Sequence, residues 1–218
     1  MQLNKETLRG LGAHAGYSKT RRHPSVAKFL EEGTGFKDKI DLDKTLEQLS
    51  VAQNFLKNNQ EKKILLIGTK PEIHRIVAEI ADEAGTYFVE RRWIGGTLTN
   101  FPEIKKRLDR LNDLTERRDS GKLVYKTKKE RVMQEQEIAK LSSKFDGIKA
   151  MQATPDIILI VDPRHEHIAA TEARQKKIPI IAIMNTDCDM SAIDYPILAN
   201  DASVDSVKII LKELMNQN

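Results

Sequence analysis

The sequence predicts an α/β fold, in which a Rossmann-like, layered parallel β-sheet is flanked by helices and carries a protruding antiparallel coiled-coil helical hairpin. Three observations support this prediction. Short apolar runs such as 63–67 alternate with segments of helical periodicity, which is typical of buried parallel strands and their crossover helices. Residues 102–150 interrupt the alternation and have no strand character. The 218 residues are enough to bury a core of this kind.

The alternating elements follow one another along the chain. A helix is predicted over 43–58 with Asp41 or Asp43 as its N-cap, because Asp side chains accept hydrogen bonds from unpaired backbone N–H groups. A strand over 63–67 leads into a helix over 71–84, and Pro71 is expected in the first turn of that helix. Further strands are predicted over 86–89, 156–161, 178–184 and 195–198, and further helices over 166–176 and 203–215. Strands joined in this way form a parallel sheet with right-handed crossovers.

Two amphipathic stretches within 102–150 predict the hairpin, because their seam residues recur at spacings of four and three. The expected seam consists of Ile104, Leu108, Leu111, Thr115 and Arg118 on the first helix and Thr127, Arg131, Gln134, Ile138, Leu141, Phe145 and Ile148 on the second. The helices would be joined near Ser120 and Gly121, with an apolar base and a polar tip. We therefore predict an α/β domain formed by 1–101 and 151–218, and an inserted hairpin at 102–150.

Positive charge is concentrated in two parts of the chain. The formal net charge is only +4, but residues 1–39, the basic N-terminal arm of the domain, carry +4, and 102–150 carry +5. Residues 40–101 carry −1 and 151–218 carry −4. A chain with a basic side and an acidic side has a preferred orientation toward a polyanion.

Several classes of protein are disfavoured. The longest apolar run, 178–184, is much shorter than the ~20 residues of a membrane-spanning helix. Residues 1–9 lack the apolar stretch of a signal peptide, so we expect a cytoplasmic protein with no membrane partner. Cys188 is the single cysteine, which excludes an internal disulfide or a zinc site of several thiolates and fits a reducing compartment.

Three motifs could carry enzymatic chemistry, and each has a plainer interpretation. Residues 68–71 lie where nucleotide-binding proteins place a phosphate loop, yet they lack its glycines and are interpreted as a strand-to-helix turn. His165 and His167 form an H-x-H pair, but no second ligand motif follows, which disfavours a metal hydrolase. Cys188 is a poor nucleophile because its neighbouring carboxylates would raise the pKa of the thiol.

Carboxylates accumulate after the predicted strands of the second half, at the edge where open α/β sheets bind ligands. We interpret these residues as turn and helix caps. The alternative is a cation held by Asp162, Asp187, Asp189 and Asp201. A small α/β enzyme that uses this crevice is the competing hypothesis for function.

Two segments combine basic, aromatic and glycine residues in a way that suits RNA phosphates, ribose hydroxyls and unstacked bases. The first, 12–24, has no apolar periodicity and is expected to lie outside the core. The second, 91–100, surrounds the single tryptophan, Trp93; packing of Trp93 between hairpin and domain is the alternative, and is compatible with RNA contact by Arg91 and Arg92. At the hairpin tip, clustered Lys and Arg favour an external partner over a solvated charged surface.

The predicted RNA-binding residues are basic, aromatic and small residues of these three segments, together with two lysines at the base of the hairpin. They are His14, Tyr17, Lys19, Arg21, Arg22, His23, Arg91, Arg92, Trp93, Gly95, Gly96, Thr97, Asn100, Lys105, Lys106, Arg117, Arg118, Lys122, Lys128 and Lys129. We expect no catalytic residue, no cofactor, no small-molecule substrate and no free homo-oligomer.

The same segments, in the same order, resemble the bacterial-type small ribosomal subunit protein S-two family. The resemblance rests on 12–17, 40–45, 92–101, 155–163 and 185–189 and covers nearly the whole chain. Its most specific string is R-W-I-G-G-T-L-T-N-F at 92–101. The sequence departs from the family's pattern mainly at Ala15, Tyr17, Arg22 and His23.

The resemblance implies an α/β domain with a helical hairpin, located on the small-subunit RNA near the junction of head and body. It implies a structural component of the ribosome without enzymatic activity. The implied partners are small-subunit ribosomal RNA and other small-subunit proteins, including a large RNA-binding neighbour that engages mRNA and that this protein would help to position.

Overall fold

The structure is a computed structural model and describes residues 3–33, 35–121 and 127–215. In chain order its main elements are α1 (Lys5–Gly10), β1 (Ala15–Ser18), β2 (Lys37–Lys39), α2 (Leu42–Lys57), β3 (Ile64–Ile67), α3 (His74–Glu83), β4 (Tyr87–Val89), α4 (Phe101–Asp119), α5 (Lys128–Phe145), β5 (Ile157–Val161), α6 (His167–Gln175), β6 (Ile180–Met184), β7 (Tyr195–Leu198) and α7 (Val204–Met215). Short 3₁₀ turns follow β1, α5 and β6.

A five-stranded parallel sheet forms the centre of the domain. Its strand order is β4-β3-β5-β6-β7, and every pair is parallel. The chain moves outward from β3 to β4 and then returns to place β5 on the other side of β3. The order in which strands are added therefore reverses between β3 and β5, while all strands stay parallel. The predicted Rossmann-like parallel sheet is therefore confirmed, with each predicted strand present.

Helices cover both faces of this sheet, because alternate strand residues point to opposite sides. Leu66, Leu159 and Ile181 belong to the cluster that contains the apolar residues of α1, α2, α3 and α7. Leu65 and Ile158 belong to the cluster on the other face, which contains the alanines of α6 and the buried residues of α4 and α5. Each fully buried Leu or Ile contributes about 1.5 to 3 kcal/mol relative to an exposed one.

The structure tests the predicted starts of two helices, α2 and α3. Asp41 is the N-cap of α2, since its side chain accepts a hydrogen bond from the Asp43 N–H at 3.1 Å. The prediction that Pro71 lies in the first turn of a helix is wrong, because α3 begins at His74. Pro71 instead occupies a turn closed by the Ile73 N–H and the Lys70 carbonyl at 3.0 Å, a position that favours proline.

Helices α4 and α5 pack against each other along the predicted seam. Leu108, Leu111 and Ile138 are buried, and Arg110 pairs with Glu137 at 3.1 Å. Leu114 is 3% exposed whereas Thr115 is only half-buried, so the buried stripe lies one residue before the predicted seam position. That the helices form a protruding coiled coil stays a prediction.

The arm is built into the domain. Leu8 and Ala13 join the cluster on the α2 side of the sheet, and Val26 joins the other cluster. Backbone hydrogen bonds tie the arm to the loops after β6 and β7: His23 N–H donates to the Thr186 carbonyl at 2.9 Å and Asn200 N–H to the Ala13 carbonyl at 2.9 Å. The expectation that 12–24 lies outside the core is therefore wrong in part, because Ala13 is buried. The segment is attached through backbone hydrogen bonds, which do not require a hydrophobic periodicity and so give no signal in the sequence.

Among the described residues, no helix combines the length and the apolar character that crossing a membrane requires.

Candidate nucleic-acid interface

A buried carboxylate organises the loop that contains the single tryptophan, residues 93–99, which we name the Trp93 loop. Glu172 on α6 accepts a hydrogen bond from the Trp93 indole N–H at 3.0 Å. It also accepts bonds from the backbone N–H groups of Gly96 at 2.8 Å and of Leu98 and Thr99 at 3.0 Å, and from the Thr99 hydroxyl at 3.0 Å. The carboxylate is thus satisfied entirely by uncharged donors.

The hydrogen bonds to Glu172 favour its ionised form. Burial by itself would raise the pKa of this carboxyl, but the hydrogen bonds from Thr99, Trp93, Gly96 and Leu98 outweigh burial and lower the pKa below its ordinary value. Gly96 has a φ of +91°, a conformation that favours glycine, and this conformation directs its N–H at the carboxylate. The Trp93 loop is therefore a rigid turn.

Burial decides between the alternatives for this loop. The side chains of Trp93 and Thr97 are buried, and Trp93 belongs to the same apolar cluster as Phe101 and Ile104 of α4. This placement favours packing of Trp93 between hairpin and domain. Gly95 and Asn100 are exposed beside it.

Arg91 and Arg92 are exposed directly before this loop and lie next to the end of α5. They line one shallow cleft together with Lys144. Lys144 in turn lines a groove of about 530 Å³ between α4 and α5. The two clefts are also lined by acidic residues, Glu90, Glu103, Glu137 and Asp146. We name six of the cations that line them the basic surface: Arg91, Arg92, Lys106, Arg107, Lys140 and Lys144.

Three of the other predicted hairpin cations are paired with acidic neighbours on the same helix. Lys105 contacts Asp109 at 2.6 Å, and Arg117 contacts Asp113 at 2.7 Å. Arg118 contacts the adjacent Asp119 at 2.9 Å. Lys128 and Lys129 are exposed in the first turn of α5, whereas Lys122 lies outside the described residues. Such exposed pairs stabilise a helix by only a few tenths of a kcal/mol each.

The arginines of the arm bind carboxylates of the domain. Arg22 forms a two-pronged contact with Asp38, in which Nε donates at 2.9 Å, and the Asp38 side chain is 1% exposed. Arg21 contacts Asp187 Oδ2 at 2.8 Å and lies over the Tyr17 ring at 4.2 Å from its centroid. Both guanidinium groups therefore form ion pairs with buried carboxylates of the protein, while the Arg21 side chain stays 52% exposed.

The remaining predicted residues of the arm have varied surroundings. Lys19 is exposed, and its ammonium donates to the Gly33 carbonyl at 2.8 Å. His23 Nδ1 lies 2.8 Å from the Ser25 hydroxyl and is half-buried. His14 Nδ1 is buried and has no hydrogen-bond partner within the described ranges. Burial and the nearby carboxylate of Asp201 raise the pKa of the Tyr17 phenol.

The carboxylates at the end of the sheet are bound by cationic side chains. The Lys70 ammonium lies between Asp162 at 2.6 Å and Asp201 at 2.8 Å. Burial would lower the pKa of Lys70, but Asp201 and Asp162 outweigh it and raise that pKa, so the amine is charged. Lys70 thus occupies the position that a bound cation would need between these two carboxylates.

The other carboxylates proposed for a cation are also engaged. Asp187 binds Arg21 and Arg164, and Asp189 accepts from the Ser191 N–H at 2.9 Å as the cap of a 3₁₀ turn. Within 3–33, 35–121 and 127–215, no three His, Cys, Asp or Glu side chains are arranged to hold a metal ion. The caps-and-turns interpretation therefore fits the structure better than the cation.

The structure also describes the surroundings of the three motifs that could carry enzymatic chemistry. The Thr69 N–H and hydroxyl, which a phosphate would need, donate to Glu166 at 2.8 and 2.5 Å. Burial, then Asp162 and Asp187, raise the pKa of the Cys188 thiol, as the sequence predicted for its carboxylate neighbours. His165 and His167 are exposed.

Sequence reasoning missed several residues of this interface. Glu172 has the spacing of any surface glutamate on a helix, so no local signal marks it as buried. No motif of the sequence indicates Arg107, Lys140 or Lys144, because single basic residues at helical spacing are common on solvated helices. Arg164 follows Asp162 in a turn and carried no pattern of its own.

Comparison with known proteins gives a consistent result. Residues 9–217 match the model of the family described as Ribosomal protein S2. The small ribosomal subunit protein uS2 of Petrotoga mobilis is 40% identical over 214 residues, which are 97% of this chain and 74% of that protein. The uS2 proteins of Trichormus variabilis and Chloroflexus aggregans are 38% and 39% identical over 205 residues, 93% of this chain and 77% and 86% of theirs.

Proposed function

We propose that this chain, which belongs to the ribosomal protein S2 family, binds small-subunit ribosomal RNA through the basic surface. As a member of this family it is a structural, non-enzymatic component of the small ribosomal subunit in the cytoplasm. Family membership shows that the chain is a protein of the small ribosomal subunit. The chemistry of the basic surface supports RNA as the partner of this face.

The contiguity of the basic surface carries the proposal. All six of its side chains are exposed, and they extend from the end of β4 along the base of α4 and α5. Arg92, Arg107, Lys140 and Lys144 form no ion pair with any residue that the structure describes. Cations without an internal partner are free to neutralise phosphates and release their counterions, which makes binding favourable.

The Trp93 loop holds one end of this surface in place. Because Glu172 fixes the loop through uncharged donors, Arg91 and Arg92 are not needed to hold it. Their guanidinium groups are therefore presented on a rigid base, which lowers the entropy that binding costs.

We further propose that the hairpin projects from the domain and extends the RNA contact toward its tip. The exposed Lys128 and Lys129 at the start of α5 support this extension, because they lie at the end of the hairpin that is farthest along the chain from the domain. A neighbouring ribosomal protein that engages mRNA is proposed as a second partner. Val132 and Met133, which are 43% and 60% exposed on α5, supply apolar area for such a contact.

The decisive experiment is incorporation into small subunits. We expect the Arg91→Glu, Arg92→Glu double variant to cosediment with small subunits at least about tenfold less than the unchanged protein, because two phosphate contacts become repulsive. The matched control is Lys208→Glu with Lys212→Glu on α7, which covers the opposite face of the sheet. Equal loss in both variants would contradict the basic surface as the RNA contact.

Direct binding provides a second measurement. Filter binding of the full chain to deproteinised small-subunit ribosomal RNA is expected to weaken as salt rises, with a slope of about 0.7 to 0.9 for each phosphate neutralised. A slope near zero would exclude RNA binding by exposed cations.

A further inference from the structure

A pair of arginines outside the basic surface is arranged around one buried carboxylate. Arg21 Nη2 lies 2.8 Å and Arg164 Nη1 lies 2.7 Å from the same oxygen, Asp187 Oδ2. The Asp187 side chain is 4% exposed, whereas the two arginine side chains are 52% and 57% exposed. The carboxylate thus lies beneath the surface and holds two guanidinium groups close together above it.

The pair has unused donors and a net positive charge. Each guanidinium carries five N–H donors, and Asp187 uses one from each. Neither arginine side chain donates to any other acceptor in the part of the chain that the structure describes. Arg21, Arg164 and Asp187 together carry a net charge of +1, and the remaining guanidinium N–H groups are not used by Asp187.

Contacts with neighbouring residues fix the positions of both arginines. Arg21 stacks on Tyr17, whose backbone N–H donates to the Thr186 hydroxyl at 3.0 Å. The Arg164 backbone N–H donates to Asp162 Oδ1 at 3.1 Å in a turn where Asp162 has a φ of +60°. A non-glycine residue in this left-handed region is uncommon and costs energy, which the Lys70 contact and the turn offset.

We propose that Arg21 and Arg164 together bind one phosphodiester group of RNA. This proposal rests on the proposed function, since it adds a second RNA contact at the carboxyl end of the sheet. A phosphodiester offers two unesterified oxygens, and paired guanidinium groups match such oxygens with charge-assisted hydrogen bonds. Because both arginines are more than half exposed, an extended polyanion gains more from them than a small anion, through the release of its counterions.

The test uses the full chain and deproteinised small-subunit ribosomal RNA in filter binding across a range of salt. Arg164→Gln is expected to weaken binding about three- to tenfold, because one of the two guanidinium groups is lost. The matched control is Arg174→Gln, an exposed arginine on α6 outside the pair, which is expected to leave the affinity within about twofold. Arg164 is exposed, so its replacement leaves the core unchanged.

The double variant tests whether both arginines share one phosphate. If they do, Arg21→Gln with Arg164→Gln lowers the salt slope by the value of a single phosphate, about 0.7 to 0.9. A decrease of about 1.4 to 1.8 would mean two separate phosphates and would overturn the shared site.

The outcomes of these experiments distinguish failure of this proposal from failure of the proposed function. If the unchanged protein fails to bind the RNA, the proposed function fails and this inference fails with it. If the unchanged protein binds and Arg164→Gln equals Arg174→Gln, only the arginine pair is overturned. Inorganic phosphate that shifts the Arg164 side-chain N–H resonances at millimolar concentration, while RNA leaves them unchanged, would assign the pair to a small anion and overturn the proposal.

Discussion

The Trp93 loop and the arm are both held to the domain by buried carboxylates, but those carboxylates bind different kinds of donor. Glu172 binds uncharged backbone, indole and hydroxyl donors in the loop. Asp38 and Asp187 bind the guanidinium groups of Arg22 and Arg21 in the arm. The loop therefore leaves its neighbouring arginines available to a partner. The arm uses Arg21 and Arg22 for attachment, and only the half-exposed Arg21 is proposed to contact RNA as well.

This difference changes how the charge of each segment is interpreted. The sequence assigns Arg21, Arg22, Arg91 and Arg92 to RNA on equal grounds. In the structure Arg22 compensates a buried carboxylate, while Arg92 has no ion pair with any described residue. Counting basic residues overestimates the free positive charge of the arm and not that of the loop.

The largest expected effect comes from removing the anchor of the loop. Glu172→Ala leaves the Trp93 indole N–H and the backbone N–H groups of Gly96, Leu98 and Thr99 without their acceptor, which is expected to cost about 4 kcal/mol of unfolding free energy. Urea unfolding followed by Trp93 fluorescence measures this change. The control Glu103→Ala, which removes an exposed pair with Lys106, is expected to cost about 0.5 kcal/mol or less. Similar losses in both variants would refute the anchor.

The second largest effect is expected from replacing an arginine that pairs with a buried carboxylate rather than an exposed arginine without an ion pair. Arg22→Gln leaves the buried Asp38 without its charged partner and is expected to cost about 2 kcal/mol. Arg92→Gln removes an exposed side chain and is expected to change the unfolding free energy by about 0.5 kcal/mol or less. Thermal or urea unfolding of both variants checks this. A larger loss at Arg92 than at Arg22 would reverse the comparison.

The pH dependence of the loop follows from the lowered pKa of Glu172. Because the pKa is lower in the folded than in the unfolded protein, the stability that the carboxylate contributes is fully present above the ordinary Glu pKa of about 4.3. It is lost as pH falls through the lowered folded pKa. Glu172→Gln is expected to flatten the fall in unfolding free energy between about pH 5 and pH 3. An unchanged pH profile would show that Glu172 contributes nothing to it.

The smallest expected effect is that of ionic strength on the attachment of the arm. Raising ionic strength from about 0.1 M to about 1 M shortens the screening length from ~10 to ~3 Å, which weakens the partly exposed pairs of the arm. We expect hydrogen exchange of the Tyr17 amide to accelerate about two- to fivefold, since such pairs contribute about 1 kcal/mol or less. The Leu98 amide, bound to Glu172, serves as the control and is expected to be unaffected. Equal acceleration at both amides would remove the distinction between the two anchors.

The parts of the fold with a local signal were predictable. The apolar run 63–67 contains β3, and the runs at 156–161 and 178–184 contain β5 and β6, because strands buried on both faces need apolar residues on both faces. The seam of α4 and α5 was predictable from its spacing. The start of α3 was not, because the Lys70 turn competes with the first helical turn at Pro71.

The candidate site was predictable in its segments and not in its contacts. The composition of 91–100 pointed to Arg91 and Arg92, which are exposed. Nothing near Glu172 or Arg164 in the chain indicates that Glu172 binds the Trp93 loop or that Arg164 shares the Asp187 carboxylate with Arg21. These contacts join residues that are 79 positions apart for Trp93 and Glu172, and 166 apart for Arg21 and Asp187.

By itself, the sequence determined the order of the five central strands and of α2 to α7, and the segments in which basic residues accumulate. Only the tertiary structure decided which carboxylates are buried and which arginines they bind. The physical reason is that hydrophobic periodicity is a property of neighbouring residues, whereas the burial of a charge depends on partners that the fold brings from distant parts of the chain.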